Sequence, residues 1–224
     1  MDIHKLKSYD YKVYVTGPFQ AGKTTLIHTL DPDAISIERE MKDDYRGERS
    51  STTTGFDLGR VMWSRKTLDS MGLVIPKKEF VKESDEYDDW LTKEIELRGV
   101  PGQLHFKFVR DTMRSNSDGI LLIVDSSDPA MIGDACAILS ESIAAFGDLP
   151  MVIVANKQDR DDCVHPLQVA AWLGVEQAVG MSARQCESCK DALILLLRMV
   201  EYRCLNEAEA DEGAEGASTP LQQA

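Results

Sequence analysis

The stretch that decides the fold is Gly17-Pro18-Phe19-Gln20-Ala21-Gly22-Lys23-Thr24, which follows the apolar run Tyr11 to Thr16. It has the form G-x-x-x-x-G-K-[ST], in which the glycines let the backbone wrap closely around a phosphate group. Successive N–H groups and the N-terminus of the following helix then point at the anion. The alternative is an ordinary glycine-rich turn with an exposed lysine, but the position between a strand and a helix favours a nucleotide-binding phosphate loop.

Individual residues of this loop have distinct expected roles. Lys23 would reach the β- and γ-phosphates, and the Thr24 hydroxyl would bind Mg²⁺. Lys23 is also a candidate catalytic residue, because its charge would stabilise the γ-phosphoryl group during transfer. The candidate nucleotide-binding residues of this segment are Gly17, Gln20, Ala21, Gly22, Lys23, Thr24 and Thr25.

Short apolar runs alternate with segments of helical period, a pattern typical of the α/β class. With the phosphate loop, it predicts the three-layer sandwich of P-loop NTPases, in which a six-stranded, mostly parallel sheet has helices on both faces. The expected strands are Tyr11–Thr16, Phe56–Trp63, Glu94–Val100, Gly119–Asp125, Met151–Asn156 and Gln177–Met181. The expected helices are Gly22–Leu30, Asp128–Phe146 and Glu187–Cys204.

Two segments interrupt this alternation within an expected single domain of residues 1–204. Residues 65–93 form an insertion that would extend a hairpin or cover the nucleotide face, as a regulatory or partner element or as a passive loop. Residues 205–224 are rich in Ala, Glu, Gly and Gln, so we expect a disordered acidic tail.

Charge and composition exclude several classes of function. The 224 residues carry a formal net charge of −13, which argues against nucleic acid as the main partner and against binding to anionic lipid. No secretory signal, lipid-attachment motif or apolar run of about 20 residues is visible, so we expect a cytoplasmic protein without a direct lipid anchor. Five cysteines fit a reducing compartment, and the pair Cys186 and Cys189 lacks the further ligands of a zinc site.

A second motif, Asn156-Lys157-Gln158-Asp159, predicts which base is bound. The Asp159 carboxylate can accept hydrogen bonds from guanine N1–H and the 2-amino group, whereas adenine would leave it unpaired at a cost of about 1–3 kcal/mol. Lys157 would lie across the base, and Asn156 would hold this segment to the phosphate loop. Ser182 and Ala183 complete the expected site, with the Ala183 N–H donating to guanine O6. GTP and GDP, with Mg²⁺, are therefore the expected ligands.

In this order, the three elements resemble the Ras-like small GTPases over roughly residues 9–204, apart from the insertion. Thr-Thr-x-Gly-Phe-Asp at residues 52–57 and the NKQD motif are similar to Arf-like proteins, and the run Pro101-Gly102-Gln103 is similar to prokaryotic MglA-like GTPases. The resemblance implies a GTP/GDP switch that recruits an effector when GTP is bound. It also implies a GTPase-activating protein (GAP), possible exchange factors, and slow hydrolysis without the GAP.

The resemblance also assigns the two switch regions. Thr53, or Thr52 or Thr54 in a neighbouring register, would bind Mg²⁺ and touch the γ-phosphate, while Arg49 would be either a built-in arginine finger or a solvated loop residue. In the second switch, Gly102 would bind the γ-phosphate through its N–H, and Gln103 would orient the attacking water.

Gly99 departs from the family pattern, because it replaces the aspartate that normally holds Mg²⁺ through water. Two functions therefore stay open: a switch that hydrolyses GTP, and a GTP-binding scaffold with negligible hydrolysis. A third, a phosphotransferase kinase, is disfavoured by the NKQD motif and the Ser182-Ala183 pair.

Overall fold

The computed structural model describes residues 10–41, 52–67, 69–87, 90–101 and 114–216. The strands are β1 (Tyr11–Thr16), β2 (Ile35–Met41), β3 (Thr52–Arg65), β4 (Leu73–Pro76), β5 (Leu91–Gly99), β6 (Gly119–Asp125), β7 (Met151–Asn156) and β8 (Val179–Gly180). The helices are α1 (Lys23–Leu30), α2 (Lys77–Lys82), α3 (Ile132–Phe146), α4 (Pro166–Leu173) and α5 (Cys186–Gly216).

One mixed sheet runs through the molecule in the order β2-β3-β5-β1-β6-β7-β8, with β4 added beside β3. The five strands from β5 to β8 in that order are parallel, whereas β3 is antiparallel to β2, β4 and β5. The α/β sandwich is confirmed, but the expected count of six strands is wrong. The two additional strands escape a pattern search because β2 is an exposed edge strand rich in charge and β4 lies within the insertion.

Helices cover both faces of the sheet, as expected for a three-layer sandwich. On one face, α1 and α5 pack against the sheet through residues such as Leu26, Ile27, Leu193 and Leu197. On the other face, α3 and α4 cover β6 and β7. All seven residues of β6 are buried, which explains its continuous apolar sequence. Because the five strands from β5 to β8 in the sheet order are parallel, their carboxyl ends meet at one edge of the sheet.

The insertion lengthens a hairpin at the opposite end from this edge. Strand β3 continues to Arg65 and β5 begins at Leu91, beyond the expected limits of both, and β4 and α2 pack at the far end. Arg65 lies eight residues from Asp57, roughly 26 Å along an extended strand. The described part of the insertion therefore extends the hairpin and lies far from the phosphate loop.

The last helix is longer than the sequence predicts. Helix α5 continues past Cys204 to Gly216, and both Cys204 and Leu205 are buried. The expected disorder from residue 205 onward is therefore wrong for residues 205–216, which continue the helix, and Leu205, the first of them, packs onto the core. Residues 217–224 lie outside the described part of the chain.

One helical stretch of the described chain, Pro129–Phe146, is long and apolar enough to cross a membrane by length and composition alone. The core helices of globular domains pass the same test. Ala135, Ile138 and Leu139 of this stretch are buried against the sheet. We therefore assign it to the helical layer of the domain.

Candidate functional site

The phosphate loop connects β1 to α1 in a backbone conformation that requires glycine. Gly17 has φ 139° and Gly22 has φ 104°, and residues that carry a side chain rarely adopt either backbone angle. A Cβ atom on Gly17 would lie 2.0 Å from the Ile123 carbonyl oxygen, and one on Gly22 would lie 2.2 Å from Asn156 Nδ2. The two glycines of the motif thus let the loop pack against β6 and against the start of the NKQD segment.

Two non-glycine residues at this edge also have left-handed backbones. Gln20 has φ 59° and lies in the phosphate loop, and Lys157 has φ 67° and lies in the NKQD segment. Such strained positions cluster at ligand-binding loops. Each of the two loops of the predicted nucleotide site therefore contains one non-glycine residue with a left-handed backbone.

Lys23 lies at the start of α1 and turns its side chain back into the loop. Its Nζ donates hydrogen bonds to the carbonyl oxygens of Gly17 at 2.9 Å and Pro18 at 2.7 Å. Burial lowers the pKa of Lys23 to about 8, partly offset by the negative charge of Asp57. An anion in the loop would favour the charged form and raise this pKa again, so the lysine is poised for a phosphate group.

A carboxylate reaches the phosphate loop from β3. Asp57 Oδ2 accepts a hydrogen bond from the Thr24 hydroxyl at 2.6 Å, and its Oδ1 accepts one from Ser36 at 2.5 Å. Ser36 in turn contacts His28 Nε2 at 2.8 Å. Asp57 is buried although it carries an ionisable group, a placement that is rare unless the group has a function or partners. Asp57 is absent from the site residues that the sequence predicts.

Asp57 lies directly beside Gly99, its partner in the β3–β5 ladder. A Cβ atom on Gly99 would lie 3.0 Å from Asp57 Cβ, 3.1 Å from Asp57 Oδ2 and 2.7 Å from Ile27 Cδ1. The Asp57 side chain therefore occupies the space next to the backbone of residue 99. A carboxylate therefore lies on the adjacent strand, one ladder position across the sheet from residue 99.

Asn156 joins the two nucleotide loops, as the sequence predicts. Its Nδ2 donates to the Ala21 carbonyl oxygen at 2.7 Å, and its Oδ1 accepts from the Ala183 N–H at 2.8 Å. Thr29 donates to the Ala183 carbonyl at 2.7 Å. The Ala183 N–H, which we expect to donate to guanine O6, thus has Asn156 as its partner in this conformation, so a base would share or take over this donor.

The remainder of the NKQD segment is held by the last residue of β6, by Ser126 after it and by Val164. Lys157 forms an ion pair with Asp125, and Gln158 donates to Ser126 Oγ and to the Val164 carbonyl, both at 2.9 Å. Although burial opposes it, hydrogen bonds from Lys157 and Ser127 lower the pKa of Asp125.

Asp159 differs from its neighbours in the motif because it is exposed. Ser182 is the largest cause that lowers the pKa of this carboxyl, and Arg184 contributes as well. An exposed, ionised carboxylate beside the Ser182-Ala183 segment is available to accept two hydrogen bonds from a ligand.

The other predicted residues differ in where they fall. Thr24 and Thr25 are exposed on the first turn of α1. Thr53 pairs with Glu40 inside the β2–β3 ladder, four residues from Asp57 and therefore roughly 13 Å along the strand. In this conformation it is too distant to share a cation with Thr24, so its assignment as a metal ligand requires β2 and β3 to rearrange. Arg49, Gly102 and Gln103 lie outside the described residues.

Comparison with known families agrees with the geometry. The model of the Arf family (ADP-ribosylation factor family) matches residues 64–195, more than half of the chain. The match includes the NKQD motif and the Ser182-Ala183 pair, whereas the phosphate loop and Asp57 precede it. No curated protein sequence matches the chain.

Proposed function

Because the chain belongs to the ADP-ribosylation factor family of small GTP-binding proteins, we propose that it is a switch that hydrolyses GTP to GDP. The observation that carries this proposal is the contact of Asp57 with Thr24 beside Gly99. Without it, the missing aspartate at residue 99 would favour a scaffold that binds GTP and does not hydrolyse it.

The residues at this edge fit a magnesium ion. Mg²⁺ prefers oxygen ligands and is usually held by one or two protein groups together with phosphates and water. The Thr24 hydroxyl, in the last residue of the phosphate-loop motif, and the Asp57 carboxylate are 2.6 Å apart, so they are the groups that would hold it. When bound, the ion would neutralise charge on the β- and γ-phosphates. Asp57 would thus replace the absent aspartate at residue 99.

Other residues would bind and orient the nucleotide. The N–H groups of the phosphate loop point at the phosphates, and Lys23 exchanges its contacts with Gly17 and Pro18 for phosphate oxygens. By family resemblance, Gly102 holds the γ-phosphate and Gln103 orients the attacking water. Hydrolysis would release the two switch regions from the γ-phosphate and so end the binding of an effector.

Selection of guanine is the part of the proposal that depends on Asp159. Its carboxylate would accept hydrogen bonds from N1–H and the 2-amino group, while Lys157 would cover one face of the base. The exposed position of Asp159 beside Ser182 supports this role. The proposed partners are an effector, a GAP and an exchange factor, and the proposed location is the cytoplasm.

A single-turnover assay tests the proposal. GTP hydrolysis by the purified full chain is followed with Mg²⁺ and with a chelator, for the wild type and for Asp57→Asn, Gln103→Leu and Asp33→Asn. We expect slow, Mg²⁺-dependent hydrolysis in the wild type, and loss of most activity in the first two variants. Asp33→Asn is the control. Asp33 is an exposed carboxylate, and its ion pair with Lys78 lies on the surface.

The outcomes separate the two functions. Tight GTP binding without hydrolysis in the wild type would favour the scaffold. Hydrolysis that survives Asp57→Asn unchanged would mean that Asp57 does not replace the missing aspartate. Competition by ATP with equal affinity would contradict the guanine site and revive the kinase alternative.

A further inference from the structure

Two cysteines, Cys186 and Cys189, follow the Ser182-Ala183 segment in the first turn of α5. Cys186 is the first residue of α5 and is partly exposed, whereas Cys189, one turn later, is completely buried. The Cys189 thiol lies 3.5 Å from the carbonyl oxygens of both Ser182 and Ala183 and donates to them. The buried thiol therefore supports the backbone of the Ser182-Ala183 segment from below.

Ala183 links this thiol to the rest of the nucleotide site. Its N–H donates to Asn156, and Asn156 donates to Ala21 in the phosphate loop. Its carbonyl accepts from both Cys189 and Thr29. A displacement of Cys189 would therefore reach the expected O6 donor and the phosphate loop through hydrogen bonds alone.

The spacing of the two cysteines allows a disulfide with local strain. In an α-helix, residues three apart have Cα atoms about 5 Å apart, which is within the range of disulfides. Their Cβ atoms, however, are about 5–6 Å apart in a helix and about 3.5–4.5 Å apart in a disulfide. The first turn of α5 must tighten to close the bond, and Cys189 Sγ must turn away from the two carbonyl groups.

The two thiols also interact electrostatically. Burial raises the pKa of the Cys189 thiol to about 12, and a negative charge on Cys186 adds to this effect. Cys189 is thus held as a neutral hydrogen-bond donor, while Cys186 is the member of the pair that meets solvent.

We propose that Cys186 and Cys189 form a reversible disulfide that loosens the Ser182-Ala183 segment and weakens guanine-nucleotide binding. The oxidant is a peroxide. The Cys186 thiolate attacks one peroxide oxygen, which gives a sulfenic acid and releases hydroxide or water. Once Cys189 Sγ turns away from the two carbonyl groups, it attacks Cys186 Sγ, the S–O bond breaks, and the Cys189 proton leaves with the departing oxygen as water. A dithiol reverses the reaction, as is usual for the transient disulfides of reducing compartments.

This inference rests on the proposed guanine site, and one experiment separates the two. The full-length reduced protein is loaded with a fluorescent GDP analogue, and the dissociation rate is measured before peroxide treatment, after it, and after dithiothreitol. Peptide mass mapping identifies the cysteines that are paired. We expect a Cys186–Cys189 bond, dissociation about tenfold faster, in line with the loss of one buried hydrogen bond, and recovery with dithiothreitol.

Two variants make the result specific. Cys186→Ser removes the partly exposed thiol and leaves the contacts of Cys189 in place, so the rate at which this variant releases the nucleotide should not respond to peroxide. Cys136→Ser is the matched control, since Cys136 contacts Trp172 on the opposite face of the sheet, and it should respond like the wild type.

Three results would overturn the inference: a different cysteine pair, a Cys186–Cys189 bond without a change in rate, or a response that persists in Cys186→Ser. Failure of the reduced wild type to bind GDP would instead contradict the proposed function.

Discussion

The Thr24 hydroxyl donates a hydrogen bond of 2.6 Å to Asp57, a buried carboxylate on the strand that pairs with Gly99. Because the two residues are paired, the aspartate side chain at residue 57 leaves no room for a side chain at residue 99. The Cβ atom of a side chain at residue 99 would collide with Ile27 Cδ1 at 2.7 Å. The same atom would lie only 3.1 Å from Asp57 Oδ2. The glycine at residue 99 and the aspartate at residue 57 are therefore two parts of one arrangement.

Restoring an aspartate at residue 99 tests that arrangement. Gly99→Asp should destabilise the protein by about 1–3 kcal/mol, because it overpacks the site and places two carboxylates together. In the double variant with Asp57→Ala, part of this loss should be recovered, about 0.5–3 kcal/mol less than the sum of the single effects. Urea unfolding of the four proteins measures the coupling, and strictly additive losses would contradict it.

Replacing Asp159 by Asn should weaken selection of guanine. The amide can accept one hydrogen bond but no longer offers two charged acceptors, so GDP affinity should fall roughly tenfold to a hundredfold. Affinity for ADP should change little, so the ratio of the GDP affinity to the ADP affinity should fall. Calorimetric titration measures both affinities. Asp161→Asn, an exposed carboxylate two residues later, is the control and should keep the wild-type ratio.

Binding of GDP should depend on the protonation of Lys23. Its pKa in the free protein is about 8, and phosphate groups favour the protonated form, so the bound pKa is higher. Affinity should be constant well below pH 8 and should fall as the pH rises through 8, by up to tenfold per pH unit. Titrations between pH 6.5 and 9.5, roughly the range over which this lysine changes charge, would reveal the slope, and a flat profile would argue against contact with the phosphates.

The same lysine should affect the stability of the free protein in the opposite sense. Its folded pKa lies below the ordinary value of 10.5, so the unfolded state binds more protons between about pH 8 and 10.5. Stability should consequently rise across this interval relative to Lys23→Met, in which nothing titrates at this position. Chemical unfolding at several pH values measures the difference, and parallel curves for the two proteins would contradict the assignment.

A buried ion pair holds the extended hairpin to α5. Arg65 and Glu201 are 2.7 Å apart with only 2% of each side chain exposed, and Trp63 donates to Glu201 at 2.9 Å. Glu201→Gln should cost about 3–5 kcal/mol, since it leaves a buried guanidinium without its counter-charge. Denaturant unfolding measures the loss. The exposed pair of Arg160 and Asp162 provides the comparison, and Asp162→Asn should change the stability far less, because solvent screens an exposed ion pair.

The sequence is most informative where a function depends on contiguous residues. The phosphate loop can be predicted because its glycines and Lys23 act through local backbone geometry, and the NKQD motif because it directly follows a buried strand. The insertion and the last helix are predicted less well. Helix α5 continues past the predicted limit at Cys204, and packing of Leu205 against the core, where this continuation begins, leaves no local sequence pattern.

The sequence by itself thus determines the α/β class, the phosphate loop and the expected preference for guanine, and it reveals that residue 99 lacks an aspartate. Only the tertiary structure decides that Asp57 lies beside residue 99, where the aspartate is missing, and that Thr53 pairs with Glu40 in the β2–β3 ladder. Both facts depend on the register between β3 and its neighbours, which brings residues 42 positions apart, Asp57 and Gly99, side by side. Register is fixed by pairing across strands, and a single strand's sequence does not contain it.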